Sequence, residues 1–323
     1  MTGQTKFQRN YKLTILPPSG GDPIIITPPM SMNIDCMRSL WNGGMNTLDI
    51  DVYNLSRDHQ KQIYWDKNVA GQYFTPQSKV VPNGIDPGFV NVKLEAGYGT
   101  QSHQIFQGHM QWADSARQGT NVITHICANT QLDDLLGTQV QTVLPAGTTQ
   151  AQVISFLCSQ FPNLKIGAIG KFPYTYIRGV SLNGLAWNLI IEAAGTGAAF
   201  IDNGNIYVLN NNEVIGGIFV IDDSTGIIET PRRGLQILTV RTLMETGVQF
   251  LGQMVQIKST IMPIYNGIYR VVSVQHRGMI SGAVCGKMES TFVLQAPNFY
   301  GVPGAPTNGT GFTVIPLAKA TAA

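Results

Sequence analysis

The sequence predicts a mainly β chain with a smaller α+β middle region, and three observations carry that reading. Apolar and polar residues alternate with a period of two through both ends of the chain. Apart from one short helix opening at Ser56, apolar residues at helical spacing are confined to residues 148–195. Glycine and proline, 35 and 17 of the 323 residues, punctuate the alternating runs at turn positions.

The elements follow in order. Tyr11, Leu13 and Ile15 alternate with Lys12 and Thr14, and Met30, Met32, Ile34 and Cys36 alternate with Ser31, Asn33 and Asp35. Asn42, Gly43 and Gly44 mark a turn, after which Leu48, Ile50 and Val52 resume the period of two. Ser56 offers an N-cap, with Asp58 in the first turn, for a helix running to about Asp66. Strands are expected at residues 90–94, 105–112 and 122–127. Thr148 or Thr149 caps a helix through Phe161, and Ser181 is expected to cap a second one that ends before Gly195. Residues 199–201 and 206–209 flank a turn at Asp202, Asn203, Gly204 and Asn205, which makes a hairpin. Further strands are expected at residues 218–221, 235–243, 254–258, 267–276 and 288–294. The expected regions are 1–118, a first β domain; 119–215, an α+β middle domain; 216–295, a second β domain; and 296–323, a Pro/Gly-rich tail. The tail is expected to be extended, disordered or docked on a partner, so that truncation after Leu294 leaves folding intact.

Composition narrows the function. Charged residues are 12% of the chain, about half the usual share of ~25%, which points to a surface largely covered by neighbouring subunits. A net charge of +2 argues against a general electrostatic grip on nucleic acid. No run approaches ~18 apolar residues, so no membrane span is expected. The first ten residues are polar and basic, unlike a secretory leader, so synthesis in a cytoplasm is expected. There Cys36, Cys127, Cys158 and Cys285, which form no Cys-x-x-Cys pair, read as buried thiols.

Motifs for chemistry are sparse. Gly282 to Lys287 is one residue short of a phosphate-binding loop and is followed by Met288. Gly179 to Gly184 resembles a nucleophile elbow with its second glycine displaced by one place, so Ser181 reads as a helix cap. The six glutamates (Glu95, Glu192, Glu213, Glu229, Glu245 and Glu289) show no acid/base spacing. His103 and His109 can share a strand face, as can His125 and Cys127, but neither pair brings a third metal ligand. Asp222 to Gly226 reads as a turn, and Arg232–Arg233 as a solvated pair or a contact for an acidic partner. No catalytic, cofactor-binding or metal-ligating residue is therefore assigned, and no cofactor is expected.

The first domain nonetheless resembles the N-terminal domain of bacteriophage tail baseplate hub proteins. The resemblance lies in residues 11–15, in residues 46–57, and in Leu94, Glu95, Ala96, Gly97 and Tyr98 followed by Ile105, Phe106, Gln107 and Gly108. Residues 177–186 look like the family's helix opening. Residues 224–228, Pro231, Leu243, Met244, Gly247, residues 255–259 and 266–271 are similar to its C-terminal domain, so the resemblance spans roughly 10–295. Glu245–Thr246 stands where relatives more often carry an Asn-Pro turn. Membership implies two tail-tube-like β-barrel or sandwich domains in one chain. It also implies a homotrimeric ring that joins a six-fold tail tube to a three-fold spike and encloses a passage for phage DNA, contacted non-specifically. The implied partners are the spike protein, the tail tube or tube-initiator protein and other baseplate proteins. The implied location is the virion, after assembly in the host cytoplasm, and no enzymatic activity is implied. Rival expectations are a tail-tip or distal tail protein of a non-contractile phage or injection device, a cell-wall-cleaving tail enzyme, and an adhesin using Trp41, Trp65 and Trp112.

Overall fold

The computed structural model describes residues 8–16, 22–41, 45–63, 65–66, 90–130, 132–234, 237–281, 286–296 and 312–318. The first region opens with β1 (Arg9–Leu16), β2 (Ile24–Ile26), β3 (Met32–Ser39) and β4 (Thr47–Tyr53). Their side chains alternate between core and surface, as strands with one covered face must. In α1 (Arg57–Ile63) the Ser56 hydroxyl accepts from the His59 amide at 3.3 Å. The helix stops at Ile63, short of its expected end, and β5 (Trp65–Asp66) forms a two-residue strand instead. Then come β6 (Asn91–Tyr98), β7 (Gln101–Gln118) and β8 (Asn121–Asn129), with β5 pairing to β7. Leu13, Ile34, Ile50, Leu94 and Ile126 meet in one core. Although expected to begin the middle region, β8 lies between β4 and β7, because Thr124, Ile126 and Ala128 bury in phase with Val52, Ile50 and Leu48.

The middle region contains α2 (Leu132–Gly137), β9 (Gln139–Leu144), α3 (Gln150–Cys158), β10 (Lys165–Ile169), β11 (Val180–Leu185), α4 (Ala186–Ala194), β12 (Ala198–Asp202) and β13 (Asn205–Leu209). Thr149 caps α3 as expected, through a capping box with Gln152. Ser181 caps nothing. It sits in β11 opposite Val143 of β9, and α4 starts only at Ala186 without a side-chain cap. Leu182 is buried with period-two neighbours, and pairing with β9 outweighs the helical spacing read from Leu182, Leu185 and Ala186. The sheet β10-β13-β12 has α3 and α4 on one face, over Ile201, Ile206 and Val208. Its other face carries Phe200 and Tyr207 into the core of the third region.

That third region comprises β14 (Glu213–Asp222), β15 (Arg232–Arg233), β16 (Ile237–Leu243), β17 (Gln253–Lys258), β18 (Gly267–Ile280), β19 (Met288–Gln295) and β20 (Thr313–Ile315). Its core gathers Ile221, Val240, Val255, Val272 and Phe292. The tail was expected to be extended, disordered or docked on a partner, but its described residues 312–318 dock on their own chain. β20 pairs in parallel with the start of β14, Phe312 buries against Val214 and Met254, and the Ala318 amide reaches the Gly167 carbonyl at 2.7 Å. Sparse periodicity concealed this because a three-residue strand shows no alternation to read.

β18 is the joint of the molecule. Its first turn of residues pairs with β17, its last eight pair with β3, and β19 runs along its other edge. One hydrogen-bonded sheet therefore runs β15-β16-β19-β18-β3-β4-β8-β7-β6-β1-β2 through both β regions. Among the described strands this path stays open, so the regions are sandwich-like sheets and not closed barrels. Among the described residues no helix is long and apolar enough to cross a membrane.

Candidate functional site

One extended surface built by this fold is the outward face of the continuous sheet. Strand registers place Trp112, Cys127, Asp49, Asp35, Arg277 and Glu289 in one row across β7, β8, β4, β3, β18 and β19. A neighbouring row runs Asp114, His125, Asp51, Asn33 and Met279. Every one of these side chains alternates with a core residue, so the face follows directly from period-two patterning. Polar contacts knit it together. His125 Nδ1 lies 2.6 Å from Asp51 Oδ1 with Trp112 packed on its ring at 4.7 Å, and Gln275 donates to Asp35 at 2.7 Å. Arg277 stands 3.5 Å from Asp35, and Arg241 bridges Glu289 at 2.6 Å and Glu229 at 3.1 Å. Asp35 and Asp49 are direct cross-strand neighbours, an arrangement of like charges that costs stability. Cys127 sits beside Asp49, and burial followed by that carboxylate pushes its thiol up to about 12.

Behind this face a buried network ties the three regions together. Arg38 occupies the core-facing phase set by Met32, Ile34 and Cys36, and its side chain is only 1% exposed. Its guanidinium donates to both Asp202 oxygens at 3.2 and 3.3 Å, and to the Val248 and Gln249 carbonyls at 3.2 and 3.1 Å. Asp202, fully buried at the end of β12, also accepts from the Leu251 amide at 2.9 Å. The Asn46 amide group donates to the Ile201 carbonyl at 2.9 Å. A second buried cation, Arg270, donates to the Asn210 and Glu213 carbonyls, while Glu213 accepts from the Lys171 and Asn210 amides. His276, opposite Cys36 and Ser290, hydrogen-bonds Ser290 Oγ through Nδ1 at 2.8 Å; burial, followed by the field of Arg38, holds it down to about 3.

The residues singled out in the sequence scatter over this frame. A bulge at Ile105 breaks the alternation of β7, so His103 lies opposite Ala96 and His109 opposite Asn91, on different faces. His125 and Cys127 do share the outward face. Among the described residues no three His, Cys, Asp or Glu side chains converge on a point that would hold a metal. Glu213 braces backbone amides, Glu229 and Glu289 hold Arg241, Glu95 pairs with Lys93, and Glu245 accepts from the Gly247 amide at 2.9 Å, which closes the turn at Glu245–Thr246. Asp222 to Gly226 is a capped 3-10 turn, and Arg232–Arg233 forms the exposed edge strand β15. Trp41 is exposed and Trp112 lies on the outward face, while Cys36 and Cys158 are buried. Cys285, residues 282–285 and the Trp65 side chain lie outside the described residues. The Arg38–Asp202 network escaped the sequence reading, although an arginine in phase with three buried residues was a readable signal.

The comparisons with known proteins agree with this architecture. No curated protein matches the sequence significantly. Among solved structures, the chain is similar to the 43 kDa tail protein of prophage MuSo2 from Shewanella oneidensis, at 9% identity and a TM-score of 0.55, covering 88% of this chain and 97% of that one. It is also similar to a tail protein from Neisseria meningitidis MC58, at 9% identity and a TM-score of 0.51, covering 88% and 96%. A third similar structure is the Escherichia coli c3393 protein, a type VI secretion component described as structurally similar to the T4 phage tail proteins gp27 and gp5 (8% identity, TM-score 0.50, covering 85% and 75%). At such identities these likenesses establish a shared fold. The model of the baseplate hub gp41 family matches residues 13–277, most of the sequence. The chain belongs to the baseplate hub gp41 family.

Proposed function

We propose that this baseplate hub works as a homotrimeric ring that adapts a six-fold tail tube to a three-fold spike and encloses the passage for phage DNA. The observation that carries this reading is the β3–β18 joint. It fuses two sandwich-like regions of one chain into a single wall, so three chains supply six such regions. The low charge of the whole chain suits subunits that cover one another. The outward sheet face would line the passage. Its carboxylates Asp35, Asp49, Asp51 and Asp114 repel phosphate, so that duplex DNA slides past without being held. Spike, tube and other baseplate proteins are the proposed partners, and the virion is the place of action; the same ring would serve a related injection device. We assign it no catalysis: Glu213 and Glu245 hold backbone amides, and Glu229 and Glu289 hold Arg241.

The test is the native mass of the purified chain over a range of concentrations, followed by imaging of the particle. The expected species is a closed trimer of about 105 kDa, three chains of 35.1 kDa, with a central opening and a pseudo-six-fold outline. A chain that stays monomeric even with its spike and tube proteins present overturns the ring. Clearing of purified peptidoglycan that is lost on replacing one Glu or Asp overturns the non-enzymatic assignment.

A further inference from the structure

The outward face changes sign at the β3–β18 joint. On the first-region side it presents the carboxylates Asp35, Asp49, Asp51 and Asp114. On the third-region side the strand registers set four cations in four successive rows. Arg232 of β15 lies opposite Thr239, and Arg241 stands one row on, beside Thr291 and Gln275. Arg277 follows beside Glu289, and Lys287 comes last, where the Met279 amide donates to its carbonyl at 2.9 Å. Rows on one face of a strand are two residues, about 7 Å, apart. The cations therefore form a track about 20 Å long that crosses the sheet obliquely between β15 and β18.

The outermost layer of the track is positive because its anions lie beneath the cations. Glu229 and Glu289 are 29% and 13% exposed, and Arg241 holds both, at 3.1 and 2.6 Å. Arg232, Arg277 and Lys287 stand out at 77%, 75% and 69%. Arg232 meets Glu229 at 3.4 Å, Lys287 meets Glu289 at 2.8 Å, and Arg277 reaches across the joint to Asp35 at 3.5 Å. Pairs so exposed hold their cations loosely, so the donors stay open to another anion. Four cations against two glutamates leave the strip with an excess of two positive charges.

We propose that this track carries the phosphate backbone of duplex DNA as it moves through the hub. The inference rests on the reading of the outward face as the wall of the passage. Phosphate asks only for charge and donors along its path, which the track supplies, and such contacts let a duplex slide. The carboxylates across the joint repel the same backbone, so each copy sets one attractive strip beside one repulsive strip. A three-fold ring presents three such tracks to one duplex, which centre it and hold it weakly. A protein partner fits less well, since Lys and Glu are depleted where proteins meet. Exposed Ile228 and Leu243 flank the track and are what a second copy of the chain would cover, and the test separates the two occupants.

Binding of a short labelled duplex to the purified full chain tests this, read by fluorescence anisotropy over a range of salt, with native mass recorded alongside. The track variant carries Arg232→Gln, Arg277→Gln and Lys287→Gln. Arg241 stays to hold both glutamates, so this variant should melt within a few degrees of the wild type. The control carries Lys165→Gln, Lys171→Gln and Arg178→Gln, which removes three exposed cations of the middle region. The track variant should lose at least about tenfold in affinity at low salt, and its log–log salt slope should fall by about 2.7 for each track engaged, roughly 0.9 per lost phosphate contact. The control should bind as the wild type does. A wild-type chain that binds no duplex at low salt overturns the proposal, as does a control that loses as much as the track variant, or a track variant that loses nothing. A track variant whose native mass falls identifies a second copy as the occupant and overturns it too. A wild-type chain that never closes into a ring refutes the hub reading, whereas a closed ring indifferent to the track refutes this proposal alone.

Discussion

Replacing Asp202 by alanine should cost this protein about 3–5 kcal/mol, the usual penalty for removing one partner of a buried ion pair. The structure says where the cost arises. Arg38 would keep only the Val248 and Gln249 carbonyls, at 3.2 and 3.1 Å, for a guanidinium shut away from water. The Leu251 amide would also lose its acceptor at 2.9 Å, and a buried orphan of that kind costs about 1–3 kcal/mol within the same total. For a chain of this size the loss corresponds to a fall in melting temperature of about 4–7 °C. Calorimetric melts and hydrogen exchange at the Leu251 amide would record it. The companion variant Arg38→Met with Asp202→Leu removes both charges, and apolar replacements of buried pairs are often neutral or better, so it should recover most of the loss. A single Asp202→Ala variant that loses less than about 1 kcal/mol would refute the reasoning, because the pair would then not be what locks the three regions together. A double variant as damaged as the sum of the single ones would refute it too, since the penalty would then lie in lost packing and not in an unpaired charge.

Three further outcomes follow from the same structure. Phe312→Ala should cost about 3–5 kcal/mol, because it opens a cavity against Val214 and Met254, and a chain lacking the tail beyond Ala296 should melt lower and bind an apolar dye; an unchanged melt would place the tail outside the core. Stability should also fall as pH drops below about 6.5. Burial holds folded His276 near 3, so the unfolded chain takes up the proton first; this group's contribution is complete above pH 6.5 and erodes by up to about 1.4 kcal/mol per unit down to about pH 3. Urea midpoints at pH 7, 6 and 5 should decline more steeply for the wild type than for His276→Gln, and parallel declines would show that the histidine is not responsible.

What could be read from the sequence was the local pattern. The alternation in β1, β3 and β4, the capping box at Thr149 and the hairpin around Asn203–Gly204 each depend on neighbours a few residues apart, and each stands in the structure as expected. The outward face was equally implicit, since every residue between two core positions must point away from the core. The failures share one cause. Leu182, Leu185 and Ala186 fit a helical spacing, but β9, some forty residues earlier in sequence, claims residues 180–185 as a strand. The histidine pair at 103 and 109 was separated by a bulge, which period arguments cannot foresee.

The sequence by itself determined that this protein is mainly β, that its surface is poor in charge, and which residues of each strand face a core. Only the tertiary structure decided which strands are neighbours. β18 chose β3 across some 240 residues and made one wall of two regions, the tail strand folded back on β14, and Arg38 found Asp202 across 164 residues. The physical reason is that side-chain periodicity records whether a face is buried, while the hydrogen bonds and charges that select its partner are satisfied only where distant segments meet.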